Sequence, residues 1–225
     1  MTMSSSERTK RAITVIQLLR KAVKGMQEPA ATVVISEYGK DPFLILVSCI
    51  LSLRTKDSVS LPASQRLFTQ AKTPQQLLQL PDSQIQQLIY PVGFYRNKTK
   101  TLKAISHVLI TDFNGEVPAT LEGLLSLPGV GQKTANLVLG EAFGIPAICV
   151  DTHVHKISNR LGLVTTTTPE ETEVELKKIL PEEYWIEYNR LLVMWGQNIC
   201  VPVSPWCSRC VLSDICPKKG VTRRR

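Results

Sequence analysis

The chain has 225 residues, 43% of them hydrophobic and 20% charged, and its 27 Lys and Arg against 19 Asp and Glu give a formal net charge of +8. That length is enough to bury a core without disulfides in one or two domains, and the composition excludes a disordered or fibrous chain. The longest apolar stretch, 43–53, is interrupted by Ser48 and Ser52 and is too short to span a bilayer, so no membrane span is expected, and the basic excess points to a polyanionic partner, either nucleic acid or an anionic membrane surface.

The N-terminus lacks a charged start, an apolar run and a cleavage site, which predicts no export signal and a cytoplasmic, nucleoid-associated protein in a prokaryote. Ile13, Ile16, Leu19 and Val23 recur every three or four positions, predicting an amphipathic helix over 6–24. Pro29 and then Gly39, Asp41 and Pro42 bracket a short helix, and 42–53 reads as an apolar helix buried on most sides. Helical stretches bounded by Pro62, Thr73-Pro74, Pro81-Asp82 and 91–93 follow, with Thr73 and Asp82 as N-caps. Further helices are expected over 98–113, 121–126 and 132–143, then from Asp151 as N-cap through Arg160, then from Thr168-Pro169. No stretch alternates with period two, so the class is all-α. The pattern divides into a helical domain over 39–144 and a second part formed by 1–38 and 145–225. The basic tail, Lys218, Lys219, Arg223, Arg224 and Arg225, is expected to be mobile and to add general attraction for phosphate.

Two stretches carry chemistry. Cys200, Cys207, Cys210 and Cys216 lie within seventeen residues. In a chain without an export signal, such a cluster holds a metal more often than disulfides, and four thiolates suit zinc and iron–sulfur alike. The other two cysteines, Cys49 and Cys149, sit in apolar runs and read as core. The second stretch, Leu127-Pro128-Gly129-Val130-Gly131-Gln132-Lys133-Thr134-Ala135, joins two predicted helices. Two glycines around one apolar residue allow a tight hairpin that turns backbone N–H groups outward at a helix start, an arrangement suited to phosphate. A plain helix–helix connection is the alternative. Lys133 is a solvated or phosphate-binding cation, or a nucleophilic amine. Asp151 is an N-cap, a base or cation stabiliser, or both.

Hairpin, lysine, aspartate and cysteines together resemble the endonuclease III family of base-excision repair glycosylases, over nearly the whole stretch 41–216. The matching motifs are L-P-G-V-G-x-K-T-A at 127–135, V-D-T-H-V at 150–154 and C-x6-C-x2-C-x5-C at 200–216. The resemblance implies a two-domain helix-hairpin-helix glycosylase fold, a six-helix barrel domain plus an iron–sulfur domain, with Cys200, Cys207, Cys210 and Cys216 holding a 4Fe-4S cluster. It implies a bifunctional DNA glycosylase and abasic-site lyase that removes oxidised pyrimidines from double-stranded DNA and acts as a monomer. Lys133 would attack C1′ and form a Schiff base, and Asp151 would assist departure of the base. Gly129, Val130, Gly131, Thr134 and His153 fall on its DNA-binding motifs. The family glutamine that fills the gap left by a flipped base is Arg54 here, in Leu51-Ser52-Leu53-Arg54, and a second wedge corresponds to Phe94. Ordinary core is the alternative for Phe94. The loop 201–206 has none of the basic residues common there in the family, a role left to Arg209 and the tail. Alternative readings are a thymine-mismatch glycosylase of the same superfamily and a non-catalytic, metal-stabilised DNA-binding protein.

Overall fold

The computed structural model describes residues 3–225, among which no strand occurs. In chain order the helices are α1 (Ser5–Ala22), α2 (Ala30–Tyr38), α3 (Pro42–Ser52), α4 (Asp57–Phe68), α5 (Pro74–Gln79), α6 (Asp82–Ile89), α7 (Tyr95–Asp112), α8 (Leu121–Leu125), α9 (Gln132–Phe143), α10 (Thr152–Arg160), α11 (Pro169–Ile179) and α12 (Trp185–Asn198). They separate into two units, Pro29–Ile145 and the pair Met1–Glu28 with Pro146–Arg225. None of the helices is long and apolar enough to cross a membrane.

The first unit is built on α3. Asp41 Oδ1 accepts the Leu44 N–H at 3.0 Å, and Pro42 occupies the first turn, where a missing N–H breaks no helical bond. Phe43 through Leu51 are all buried, because α2, α4, α7 and α9 pack around this helix. Each fully buried Leu or Ile contributes roughly 2 kcal/mol of hydrophobic stabilisation before chain entropy is counted. Residues 30–38, grouped by sequence with the N-terminal helix, lie in this unit because α2 packs on α3 and α4.

Two local expectations change. Pro62 does not bound a helix but lies inside α4, with its ring exposed; only the bond to the Ser58 carbonyl is forgone. Asp82 is not the N-cap of α6 but its first residue, after Pro81, and its carboxylate pairs with Lys103 at 2.8 Å. Thr73 does cap α5, accepting from Gln76 N at 3.2 Å.

In the second unit, α1, α10, α11 and α12 close on a core that includes Val15, Ile16, Leu19, Val154, Ile157, Leu176, Leu192 and Trp195. A capping box starts α1: Ser4 Oγ accepts from Glu7 N, and Glu7 Oε2 accepts from Ser4 N. Tyr188 is fully buried, and its hydroxyl meets Ser158 Oγ at 2.9 Å. The C-terminal tail, expected to be mobile, is tied down by its last residue. Arg225 N donates to Pro205 O at 2.8 Å, Ser208 N donates to Arg225 O at 2.9 Å, and the Arg225 guanidinium lies 3.8 Å from the Trp206 ring centroid. Backbone pairing plus cation–π contact is what fixes it.

Candidate functional site

Between α8 and α9 the chain makes the hairpin that the sequence predicts. Leu127 and Val130 are buried, Val130 N donates to Leu127 O at 3.2 Å, and Gly129 and Gly131 are exposed. Gly129 has φ 73°, and a Cβ there would come within 2.8 Å of Thr101 Cγ2, so glycine is required by both conformation and space. Gly131 is the N-cap of α9 and brings no side chain to cap it, which leaves the positive end of the helix turned to the exposed hairpin. Thr134 is buried. Lys133, the second residue of α9, is exposed. Its charge reaches Cys49 on α3: burial pushes that thiol up to about 12, and the Lys133 ammonium pulls it the other way.

Arg54 and Phe94 come together although forty residues separate them. Thr55 Oγ1, next to Arg54, accepts the N–H of Gly93, next to Phe94, at 3.2 Å. Both residues occupy the left-handed region, Arg54 at φ 53° and Phe94 at φ 58°, a conformation that costs a non-glycine residue about 1 kcal/mol. Both side chains are exposed, Phe94 at 62%, which rules out the core reading of that aromatic. An exposed phenylalanine on a strained turn, beside an exposed arginine, suits insertion into a base stack.

Asp151, half-buried, is the N-cap of α10. Its Oδ1 accepts from His153 N at 2.9 Å and from Val154 N at 2.8 Å. That oxygen therefore makes the helix cap. His153 packs its imidazole against Gly196 of α12, where a Cβ would collide with the ring.

Cys200, Cys207, Cys210 and Cys216 are partly buried and form no disulfide. All four line one pocket, together with Ile199, Pro205 and Trp206. Burial raises the thiols of Cys200, Cys210 and Cys216, and the Arg160 guanidinium opposes this at Cys200 by donating to its Sγ at 3.2 Å. Among the described residues no three His, Cys, Asp or Glu side chains meet closely enough to hold a single metal ion. Trp206 lies under Arg209 at 4.7 Å and Arg225 at 3.8 Å, so basic groups flank the otherwise neutral 201–206 loop.

Sequence reasoning missed two buried cations. Arg160 donates to the carbonyls of Cys200, Val201 and Pro202 and fixes the first half of the cysteine loop. Lys98 is 7% exposed and lies on the apolar stripe of α7 with Leu102, Ile105 and Leu109. That spacing was readable: a lysine in phase with a buried stripe must find partners inside.

Residues 47–182 match the model of the HhH-GPD superfamily base excision DNA repair proteins. The chain is 49% identical over 190 residues to endonuclease III of Thermotoga maritima, covering 82% of this chain and 89% of that one. To endonuclease III of Bacillus subtilis it is 38% identical over 191 residues, covering 82% and 87%. Among solved structures it resembles a trapped endonuclease III–DNA covalent intermediate, with TM-score 0.75, 34% identity and coverage of 90% and 96%. It also resembles a thermostable thymine-DNA glycosylase, with TM-score 0.80, 25% identity and coverage of 93% and 96%.

Proposed function

The chain belongs to the HhH-GPD superfamily of base excision DNA repair proteins and, within it, to the endonuclease III family, and from that premise we propose how its residues divide the work. The protein is a DNA glycosylase and abasic-site lyase whose partner is DNA. The observation that carries the assignment of roles is the exposed Lys133 at the start of a helix whose N-terminal end lies open at the glycine hairpin.

A phosphate on the Gly129–Gly131 turn accepts N–H bonds and sits at the positive end of α9, which brings the adjoining sugar to Lys133. Deprotonated Lys133 Nζ attacks C1′; the C1′–N bond breaks, and its electron pair leaves with the base, which takes up a proton. Ring opening then breaks the C1′–O4′ bond, one proton passes from Nζ to O4′, and an iminium joins Nζ to C1′. Loss of a C2′ proton then expels the 3′ phosphate oxygen, and water releases the lysine. Asp151 Oδ2 offsets the positive charge growing on the sugar, an electrostatic role compatible with the cap made by Oδ1. The substrates are oxidised pyrimidines in duplex DNA, and the protein acts as a monomer. The thymine-mismatch reading has the support of a relative at 25% identity, against 49% for an endonuclease III.

A 4Fe-4S cluster fits the cysteine pocket: four thiols line one apolar-walled space, and a guanidinium beside Cys200 favours its thiolate. Cys200, Cys207, Cys210 and Cys216 would hold it. When bound, the cluster cross-links the 200–216 loop and gives it rigidity.

Asparagine caps helices as well as aspartate does, so Asp151→Asn separates the two roles. The expected result is an unchanged melting temperature with base release slowed about 100-fold, measured in single-turnover assays. Equal rates for the two proteins would reduce Asp151 to a cap. For the wedge pair, Arg54→Ala with Phe94→Ala is expected to lower cleavage at a duplex abasic site about 100-fold more than at a single-stranded one. Equal losses on the two substrates would contradict insertion.

A further inference from the structure

Buried Lys98 joins the two turns that carry the wedge residues, and no step of the chemistry above uses it. Its Nζ donates to Leu51 O at 2.7 Å, to Leu53 O at 2.6 Å and to Thr55 Oγ1 at 3.1 Å, using all three ammonium hydrogens. Leu51 and Leu53 stand at the C-terminal end of α3, where carbonyls lack helical partners and the helix dipole is negative, so the ammonium caps α3 from another helix. Among the described residues no carboxylate pairs with it, and burial pulls it down to about 8. A lysine kept at that disadvantage is held by the carbonyls.

The same residue reaches the other turn. Lys98 N donates to Phe94 O at 3.0 Å. Thr55 Oγ1, which accepts from Nζ, also accepts from Gly93 N at 3.2 Å, and a Cβ on Gly93 would stand 3.2 Å from Arg54 O. The carbonyls before Arg54, the hydroxyl after it and the backbone of Phe94 therefore share one ammonium-centred network. Each turn holds a non-glycine residue at positive φ, and such residues persist only where their surroundings fix them.

We propose that Lys98 is a positioning residue for lesion recognition, whose buried ammonium locks the 51–55 turn to the start of α7 so that Arg54 and Phe94 meet DNA as one preset pair. The proposal rests on the reading of Arg54 and Phe94 as wedges. Lys98 touches neither the substrate nor the reacting atoms.

The test uses the ratio of cleavage rates at an abasic site in duplex and in single-stranded DNA, with a fluorescent purine opposite the site to report disturbed stacking. Lys98→Met is expected to lower the ratio about 100-fold and to abolish the fluorescence change, because a displacement of about 1 Å in a positioning element costs that much. In the Arg54→Ala/Phe94→Ala background the same substitution is expected to lower the ratio less than about 3-fold further, since coupled residues are not additive. Thr55→Val removes one acceptor and keeps the size, and carries the test if Lys98→Met does not fold; a fall of about 10-fold is expected. A ratio within about 3-fold of the parent for the folded variant, or a full further loss in the double-alanine background, overturns the proposal. If Arg54→Ala/Phe94→Ala itself leaves the ratio unchanged, the wedge reading is what has failed, and that arm alone identifies it.

Discussion

Lys133→Ala is expected to abolish cleavage at an abasic site, with a loss of about 1000-fold or more, while DNA binding persists. In the proposed mechanism the amine bonds to the sugar carbon, and removal of a nucleophile leaves only positioning and electrostatics. Binding is expected to survive because the proposed phosphate contacts are made by the Gly129–Gly131 turn and the end of α9, which the substitution leaves intact. Lys133 is exposed, so the variant is expected to fold normally, with a melting temperature close to the parent. A single-turnover cleavage assay beside a binding titration measures both. Cleavage within about 10-fold of the parent would assign the chemistry to another amine.

The second large effect is expected from the cysteines. Cys210→Ser removes one of four thiols around the pocket, and the protein is expected to emerge colourless, with 200–225 open to protease and with most of its DNA cleavage lost. Protein contacts fix points along that segment: Arg160 holds residues 200–202 and accepts from Cys216 and Lys219, Leu212 is buried in the core, and Arg225 returns to Pro205 and Ser208. A cluster would add a tie among all four cysteine side chains of the one pocket, a constraint that folding shares with metal binding. Absorption in the visible range, iron content and limited proteolysis read the result independently of activity. A colourless variant with the parent's protease resistance would show that the loop is held by protein contacts alone.

The helices were largely legible because their signals are local. Asp41 before Pro42, Thr73 before Pro74, Asp151 before an amphipathic turn and Thr168 before Pro169 all cap the helices that they announce. Pro62 misled because proline is a boundary only when its neighbours cannot carry the helix, and α4 gains its stability from packing on α2, α3 and α6. The tail misled for a similar reason: a run of cations reads as solvated, and the partner that fixes Arg225 is an indole distant in sequence. Lys133, Asp151 and the cysteines stand out in the sequence because each lies in a motif with fixed spacing. Lys98 could be suspected from its place on an apolar stripe, but its acceptors are backbone carbonyls, which every residue has and no sequence marks. The contact between the Arg54 and Phe94 turns is likewise tertiary, and only the folded chain brings them together.

Covalent capture of the sugar by one lysine is the central step of the proposed mechanism. Borohydride reduction of the protein with DNA carrying a single abasic site, followed by proteolysis and mass spectrometry of the linked peptide, tests it directly. The nucleotide mass is predicted on the peptide that contains Lys133, and on no other. A stable adduct mapped to a different lysine or to the N-terminal amine, or no adduct while strand cleavage proceeds, would contradict the account.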